Sequence, residues 1–129
     1  MATLPTRSPL NPIVRPARAH DGYSVCNVAF ESLPGFFVTG NLYRPLAGDD
    51  SVAQKFPAVL VTHGHGDPAT GVRPANSYQT LCAMLARAGA IVLMIDMVGY
   101  GEAHQFPHKT DITLGLQLWN GMRALDFLN

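Results

Sequence analysis

The stretch Lys55-Phe-Pro-Ala-Val-Leu-Val-Thr-His-Gly-His-Gly-Asp67 limits what this chain can fold into. It opens as an apolar run, Pro57 to Val61, and ends in a glycine-punctuated turn, Thr62 to Gly66. A short apolar run between turn signals reads as a strand buried on both faces. The glycines let the chain turn sharply and bring backbone N–H groups close to a ligand. A second apolar run, Ala90 to Ile95, ends at Asp96 and opens into Met97-Val-Gly-Tyr-Gly-Glu102. Between the two runs, Tyr78, Leu81, Cys82 and Leu85 recur at helical spacing. Asn76 or Ser77 suits the N-cap of that helix, and Gly89 suits its carboxyl end. Strand, helix and strand in this order make a right-handed βαβ unit. The pattern predicts that 57–62 and 90–96 are adjacent parallel strands with helix 77–88 on one face.

Upstream, Tyr23 to Phe30 places Cys26, Val28 and Phe30 on one face. Ser32-Leu-Pro-Gly35 reads as a turn, and Phe36 to Tyr43 alternates with a period of two. The pair reads as an antiparallel hairpin stopped by Pro45. Residues 46–55 read as a polar loop and 64–75 as a second loop. A last helix is predicted from about residue 111 onward. Its main stripe is Leu114, Leu118, Met122 and Leu125, widened by Trp119 and Leu128, and Trp119 reads as core. Pro5, Pro9, Pro12 and Pro16 exclude helix from residues 1–20, which read as an extended arm, disordered or laid across the surface. Residues 21–129 then form a single α/β unit.

Nine basic and nine acidic residues balance, so charge makes no case for nucleic acid or an anionic membrane as partner. The strongest apolar run, Ala88 to Ile95, is far shorter than the roughly 20 residues of a membrane span. No apolar segment of signal-peptide type follows Arg7, Arg15 and Arg18, which points to a cytoplasmic chain. Cys26 and Cys82 lack motif spacing and read as buried thiols. His63, His65, His104 and His108 lie on two turns with Asp67 and Glu102 nearby. Neutral imidazoles bind zinc, but His-x-His and His-x3-His spacings are common in loops, and no metal or cofactor is expected.

Acyl transfer passes through a tetrahedral oxyanion, which preorganised backbone N–H donors stabilise. A glycine turn after a strand of an α/β sheet can supply one such donor. The order of elements, with Gly40-Asn-Leu-Tyr-Arg-Pro45, Pro57-Ala-Val-Leu-Val-Thr-His-Gly64 and Asp96-Met-Val-Gly-Tyr-Gly101, resembles the amino-terminal half of the α/β-hydrolase superfamily. Within it the chain looks most like acetyl xylan esterases and dienelactone-hydrolase-type enzymes. The resemblance implies a three-layer αβα fold when complete, and a serine nucleophile with histidine and acid partners. It implies a small-molecule or carbohydrate ester as substrate. By position, the backbone N–H of His65 would be the oxyanion donor, with His63, Gly64 and Gly66 shaping the turn. His63 would buttress the turn through hydrogen bonds. Tyr100 and Glu102 would border the substrate pocket, and Asp96 would pin the turn 98–101. None of Ser8, Ser24, Ser32, Ser51 and Ser77 lies in a Gly-x-Ser-x-Gly elbow. The expectation is therefore a hydrolase fragment whose triad lies beyond residue 129.

Two other classes compete. Gly64-His-Gly66-Asp-Pro-Ala69 formally matches a dinucleotide-binding fingerprint, with Asp96 as the ribose acid. Against it, about ten loop residues separate the glycines from the helix, and the acid lies too far along the chain. The missing elbow also suits a non-catalytic interaction domain. In the hydrolase-fragment reading, strand 57–62 is expected to lack a neighbour on one side, with self-association or partial unfolding as the result.

Overall fold

The computed structural model describes residues 4–46, 55–67 and 69–129. Most of the predicted 46–55 loop lies outside the described residues. The strands are β1 (Ile13–Val14), β2 (Arg18–His20), β3 (Tyr23–Leu33), β4 (Phe36–Pro45), β5 (Ala58–Val61) and β6 (Ile91–Ile95). The helices are α1 (Asn76–Arg87) and α2 (Thr113–Leu128). They build one six-stranded mixed sheet in the order β1-β3-β4-β6-β5, with β2 also paired to β3.

The hairpin forms as the alternation predicts, from Tyr23 opposite Pro45 to Leu33 opposite Phe36. It is longer than the sequence reading, because β3 runs through Ser32 to Leu33 and β4 continues from Tyr43 to Pro45, where it ends. The Ser32 carbonyl accepts the Trp119 indole N–H at 2.8 Å, which holds that end of the hairpin on α2. The β5–β6 pair is parallel, Ala58 opposite Ile91 to Val61 opposite Met94, as the βαβ reading requires. On its other side β6 joins β4 antiparallel. A Cβ on Gly40 would sit 2.6 Å from the Met94 carbonyl oxygen, so glycine there lets β4 and β6 close. Residues 13–14 and 18–20 of the arm lie along β3, so the arm is laid on the sheet.

The two faces of the sheet carry separate cores. On one, Val25, Tyr43, Val92 and Met94 meet Cys82 and Ala86 of α1. On the other, Cys26, Val28, Phe30, Val38, Leu42, Leu93 and Ile95 meet Ala124 and Phe127 of α2. Phe30, Leu93, Met94 and Val92 are fully buried, each contributing about 1.5–3 kcal/mol.

Three expectations are corrected. The apolar run before the glycine turn is an edge strand as expected, but it is not buried on both faces: Ala58 is exposed and Val59 and Leu60 are half-buried. Helix α1 starts one residue earlier than predicted, behind Ala75, and neither Asn76 nor Ser77 caps it with a side chain. On α2 the stripe Leu114, Leu118 and Leu125 faces outward, while Trp119, Asn120, Arg123 and Ala124 are buried. Arg123 is buried because its charge is met: it donates to Asp126 at 2.6 Å and to the Ser8 carbonyl of the arm. Among the described residues no helix is long and apolar enough to cross a membrane.

Both cysteines are free and buried. Burial pushes the Cys82 thiol up to about 11. Burial, then the neighbouring Cys82 and Tyr23, pushes the Tyr43 phenol up to about 12. The unfolded chain releases these protons at the ordinary values of about 8.5 and 10. The folded chain therefore holds protons that the unfolded chain has lost, and this stability is present below about pH 8.5 and lost as the pH rises through the raised values. Urea midpoints measured from neutral to strongly alkaline pH are expected to fall above about pH 9, and Cys82→Ala to flatten the first part of that fall.

Candidate active site

Parallel pairing brings the carboxyl ends of β5 and β6 side by side, with a glycine turn beyond each. Thr62 to Gly66 follows β5 and Asp96 to Gly101 follows β6. At this place in an open α/β sheet ligands are commonly bound. A cleft of about 270 Å³ lies there, walled by Thr62 and His63, by Asp96 and Val98, and by Leu118 and Asn120 of α2.

Asp96 in that wall is one half of a buried ion pair with Arg73. Arg73 is 8% exposed and Asp96 3%. The guanidinium grips the carboxylate with two bonds of 2.7 Å, from Nε to Oδ1 and from Nη2 to Oδ2. Nη1 donates to Asn41 Oδ1 at 2.8 Å, and Nη2 also meets the Glu102 carboxylate. Asp96 further accepts from the Thr39 hydroxyl at 2.7 Å and the Glu102 N–H at 3.3 Å. Burial alone would lower the Arg73 pKa, but its bonds to Asp96 and Glu102 and their charges hold it above the ordinary arginine value. Asp96 pins the 98–101 turn as expected, and its partner Arg73 went unseen. Nothing in the loop 69–75 marks an arginine whose acid stands 23 residues away.

Glycines let three turns close on this pair. Gly71 and Gly101 both have positive φ, and a Cβ on Gly71 would sit 2.8 Å from the Gly101 Cα. A Cβ on Gly101 would sit 2.6 Å from Asp96 Oδ1. The Gly71 N–H donates to the Asp67 carbonyl at 2.8 Å, which links Arg73's loop back to the turn after β5.

His63 donates from Nδ1 to the Gly64 carbonyl at 2.8 Å, the buttressing contact expected of it. Its Nε2 is buried without a partner among the described residues, as is Asn120 Oδ1 on the facing helix. The backbone N–H of His65 makes no hydrogen bond among the described residues, and Gly64 and Gly66 leave it exposed. The His65 ring leans away, its Nε2 3.0 Å from His108 Nε2. His108 Nδ1 faces the Val98 carbonyl at 2.9 Å and must carry a proton. One imidazole Nε2 then donates to the other across the pair. The buried Tyr100 ring stands edge-on to both imidazoles, at 5.9 and 4.8 Å.

Of the two expected pocket residues, neither lines the cleft beside α2. Tyr100 is buried in the imidazole cluster, and Glu102 lines a separate polar cleft with Arg73, Asn41 and Arg18. His104 is exposed and joins no other histidine. Among the described residues no group of three or more His, Cys, Asp or Glu side chains is placed to hold a metal ion.

No protein-family model and no curated protein matches the sequence. Solved structures do. Over 95% of its length the chain superposes on methylesterase BT1017, with 30% identity and a TM-score of 0.79, covering 26% of that protein. A candidate acetyl xylan esterase from Bacteroides fragilis NCTC 9343 matches 98% of the chain at 19% identity and a TM-score of 0.66, with 38% of its own length covered. The acetyl xylan esterase from Paenibacillus sp. R4 matches 94% at 20% identity and a TM-score of 0.61, with 42% covered. The chain thus spans between about a quarter and two fifths of these proteins. By its hairpin, its parallel β5–β6 pair and these likenesses, the chain carries part of an α/β-hydrolase fold.

Removing one partner of a buried ion pair leaves the other charge uncompensated. Arg73→Met is expected to cost about 3–5 kcal/mol in urea unfolding. Glu102→Gln should cost less than about 1 kcal/mol, because that carboxylate is 63% exposed. Equal small losses would show that the pair does not hold the turns.

Proposed function

We propose that this chain is the amino-terminal portion of a carboxylic-ester hydrolase acting on an acetyl ester or a related small-molecule or carbohydrate ester. The serine, histidine and acid of its triad would lie outside residues 1–129, and the chain needs no metal or organic cofactor for this chemistry. Its contribution is the turn after β5. A backbone N–H at His65 that has no partner among the described residues, on an exposed residue between two glycines and two positions after the cleft-lining His63, has the character of an oxyanion donor. That observation carries the reading, and the 30% identity to a methylesterase supports it. The histidines do other work here: His63 braces the turn and His65 ties it to His108.

Dinucleotide binding gains no support. Helix α1 begins ten residues after Gly66, and Arg73 in the intervening loop is already committed to two carboxylates. A phosphate at Gly64–Gly66 would therefore not meet the helix amino terminus.

Activity separates the outcomes. With p-nitrophenyl acetate the chain alone is expected to give at most a weak rate, since oxyanion donors without a nucleophile accelerate little on the scale of a full triad. A fluorophosphonate probe should label none of its serines. Robust turnover abolished by one substitution among residues 1–129 would place the nucleophile inside this chain and defeat the proposal.

A further inference from the structure

Residues 64–66 are tied to the rest of the molecule through a single side chain. Among the described residues, no backbone hydrogen bond joins them to another segment. The bond from His65 Nε2 to His108 Nε2, at 3.0 Å, does so. Gly64 and Gly66 on either side give the backbone freedom to move once that bond is lost. His108 is fixed on three sides by contrast. Its ring Nδ1 donates to the Val98 carbonyl at 2.9 Å. Its own carbonyl accepts the hydroxyl of Thr113, the first residue of α2, at 2.6 Å. Its backbone lies so close to Gly99 that a Cβ there would stand 2.6 Å from the His108 nitrogen. The loop 98–108 is therefore the anchor, and the turn after β5 is what it holds.

The contact has room for one proton. A carbonyl only accepts, so His108 Nδ1 keeps its hydrogen. With both rings neutral, His108 Nε2 is bare and His65 donates to it. The His65 ring is exposed, and its Nδ1 makes no hydrogen bond among the described residues. A first added proton goes there, and the bond survives with a charged donor. A second has only His108 Nε2 left. It would set N–H against N–H at 3.0 Å on two cations, and the rings must part.

The neighbouring groups do not offset that charge. No salt bridge among the described residues involves either ring. On the turn, His63 faces the Gly64 carbonyl and Asp67 accepts the Ala69 N–H. On the loop, Tyr100 stands perpendicular to both imidazoles, Glu102 is engaged by Arg73, and His104, Lys109 and Asp111 are exposed. Tyr78 of α1 meets His63 rather than His65.

We propose that His108 is a positioning residue that holds the turn after β5 through this shared proton, and that acid releases it. Histidine as a class changes charge between about pH 5 and 8, so the turn is held at neutral pH and freed below it. The consequence for ester hydrolysis rests on the oxyanion role proposed for His65; the latch itself does not.

NMR relaxation on the chain tests the latch without any ester. Backbone order parameters of Gly64 and Gly66 are expected near about 0.85 at about pH 8 and below about 0.6 at about pH 5, with an unchanged far-UV circular dichroism spectrum. His108→Gln supplies an amide that donates and accepts at every pH, so the turn should stay ordered across the range. His65→Ala removes the bond from an exposed position, and the turn should be mobile throughout. If His108→Gln perturbs the loop, His65→Ala and the wild-type response decide. A wild-type turn whose order ignores pH would overturn the proposal. So would an acid response that persists in a folded His108→Gln variant, or a turn that stays rigid in His65→Ala. None of these readouts uses activity, so the absence of an oxyanion role at His65 would leave them unchanged.

Discussion

The buried pair Arg73–Asp96 is the contact on which the functional end of this molecule depends. A carboxylate at the end of a central strand, 3% exposed, is untenable alone. Arg73 meets it with two bonds, and Thr39 and the Glu102 N–H complete its shell. The consequence is mechanical as much as electrostatic. The loop that brings Arg73 in must cross over the turn after β6, and Gly71 on Gly101 gives the clearance. Through the Asp67–Gly71 bond the same loop restrains the turn after β5. One ion pair therefore sets the relative height of two glycine turns, and the donor proposed at His65 would gain a fixed position from a charge that it does not touch. Preorganisation of this kind lets a backbone dipole stabilise a developing charge without rearranging.

The fold was legible wherever a local pattern decides it. The alternation in 23–30 and 36–43, and the two apolar runs around a helical stripe, led to the observed hairpin and parallel pair. The sequence misled where burial depends on a distant partner. Ala58 to Val61 is as apolar as Ile91 to Ile95, yet Ala58 is exposed and Val59 and Leu60 are half-buried, while Val92 to Ile95 are buried. Periodicity reports which residues share a face, not what covers it. Helix α2 makes the same point in reverse. Its Leu114–Leu118–Leu125 stripe is exposed, and the buried side contains Arg123 and Asn120. A charge reads as surface until its partners are known, and those of Arg123 are Asp126 and a carbonyl 115 residues away.

The site was half legible. Its location followed from glycines after apolar runs, which are local signals. Its organisation rests on pairings between segments: Arg73 with Asp96, and His65 with His108 across 43 residues. No spacing rule finds either. Tyr100 and Glu102 both flank a glycine turn, and the backbone there sends one into an aromatic cluster and the other to a separate cleft.

The central claim is that the turn after β5 is a ready-made oxyanion donor awaiting a nucleophile. The most direct measurement joins this chain to the part of methylesterase BT1017 that it does not cover and follows ester hydrolysis. The account predicts turnover by the joined protein, and a fall in kcat of about 10²–10³-fold for His65→Pro, which deletes the donor N–H. A folded, active chimera whose kcat is unchanged by His65→Pro would contradict it.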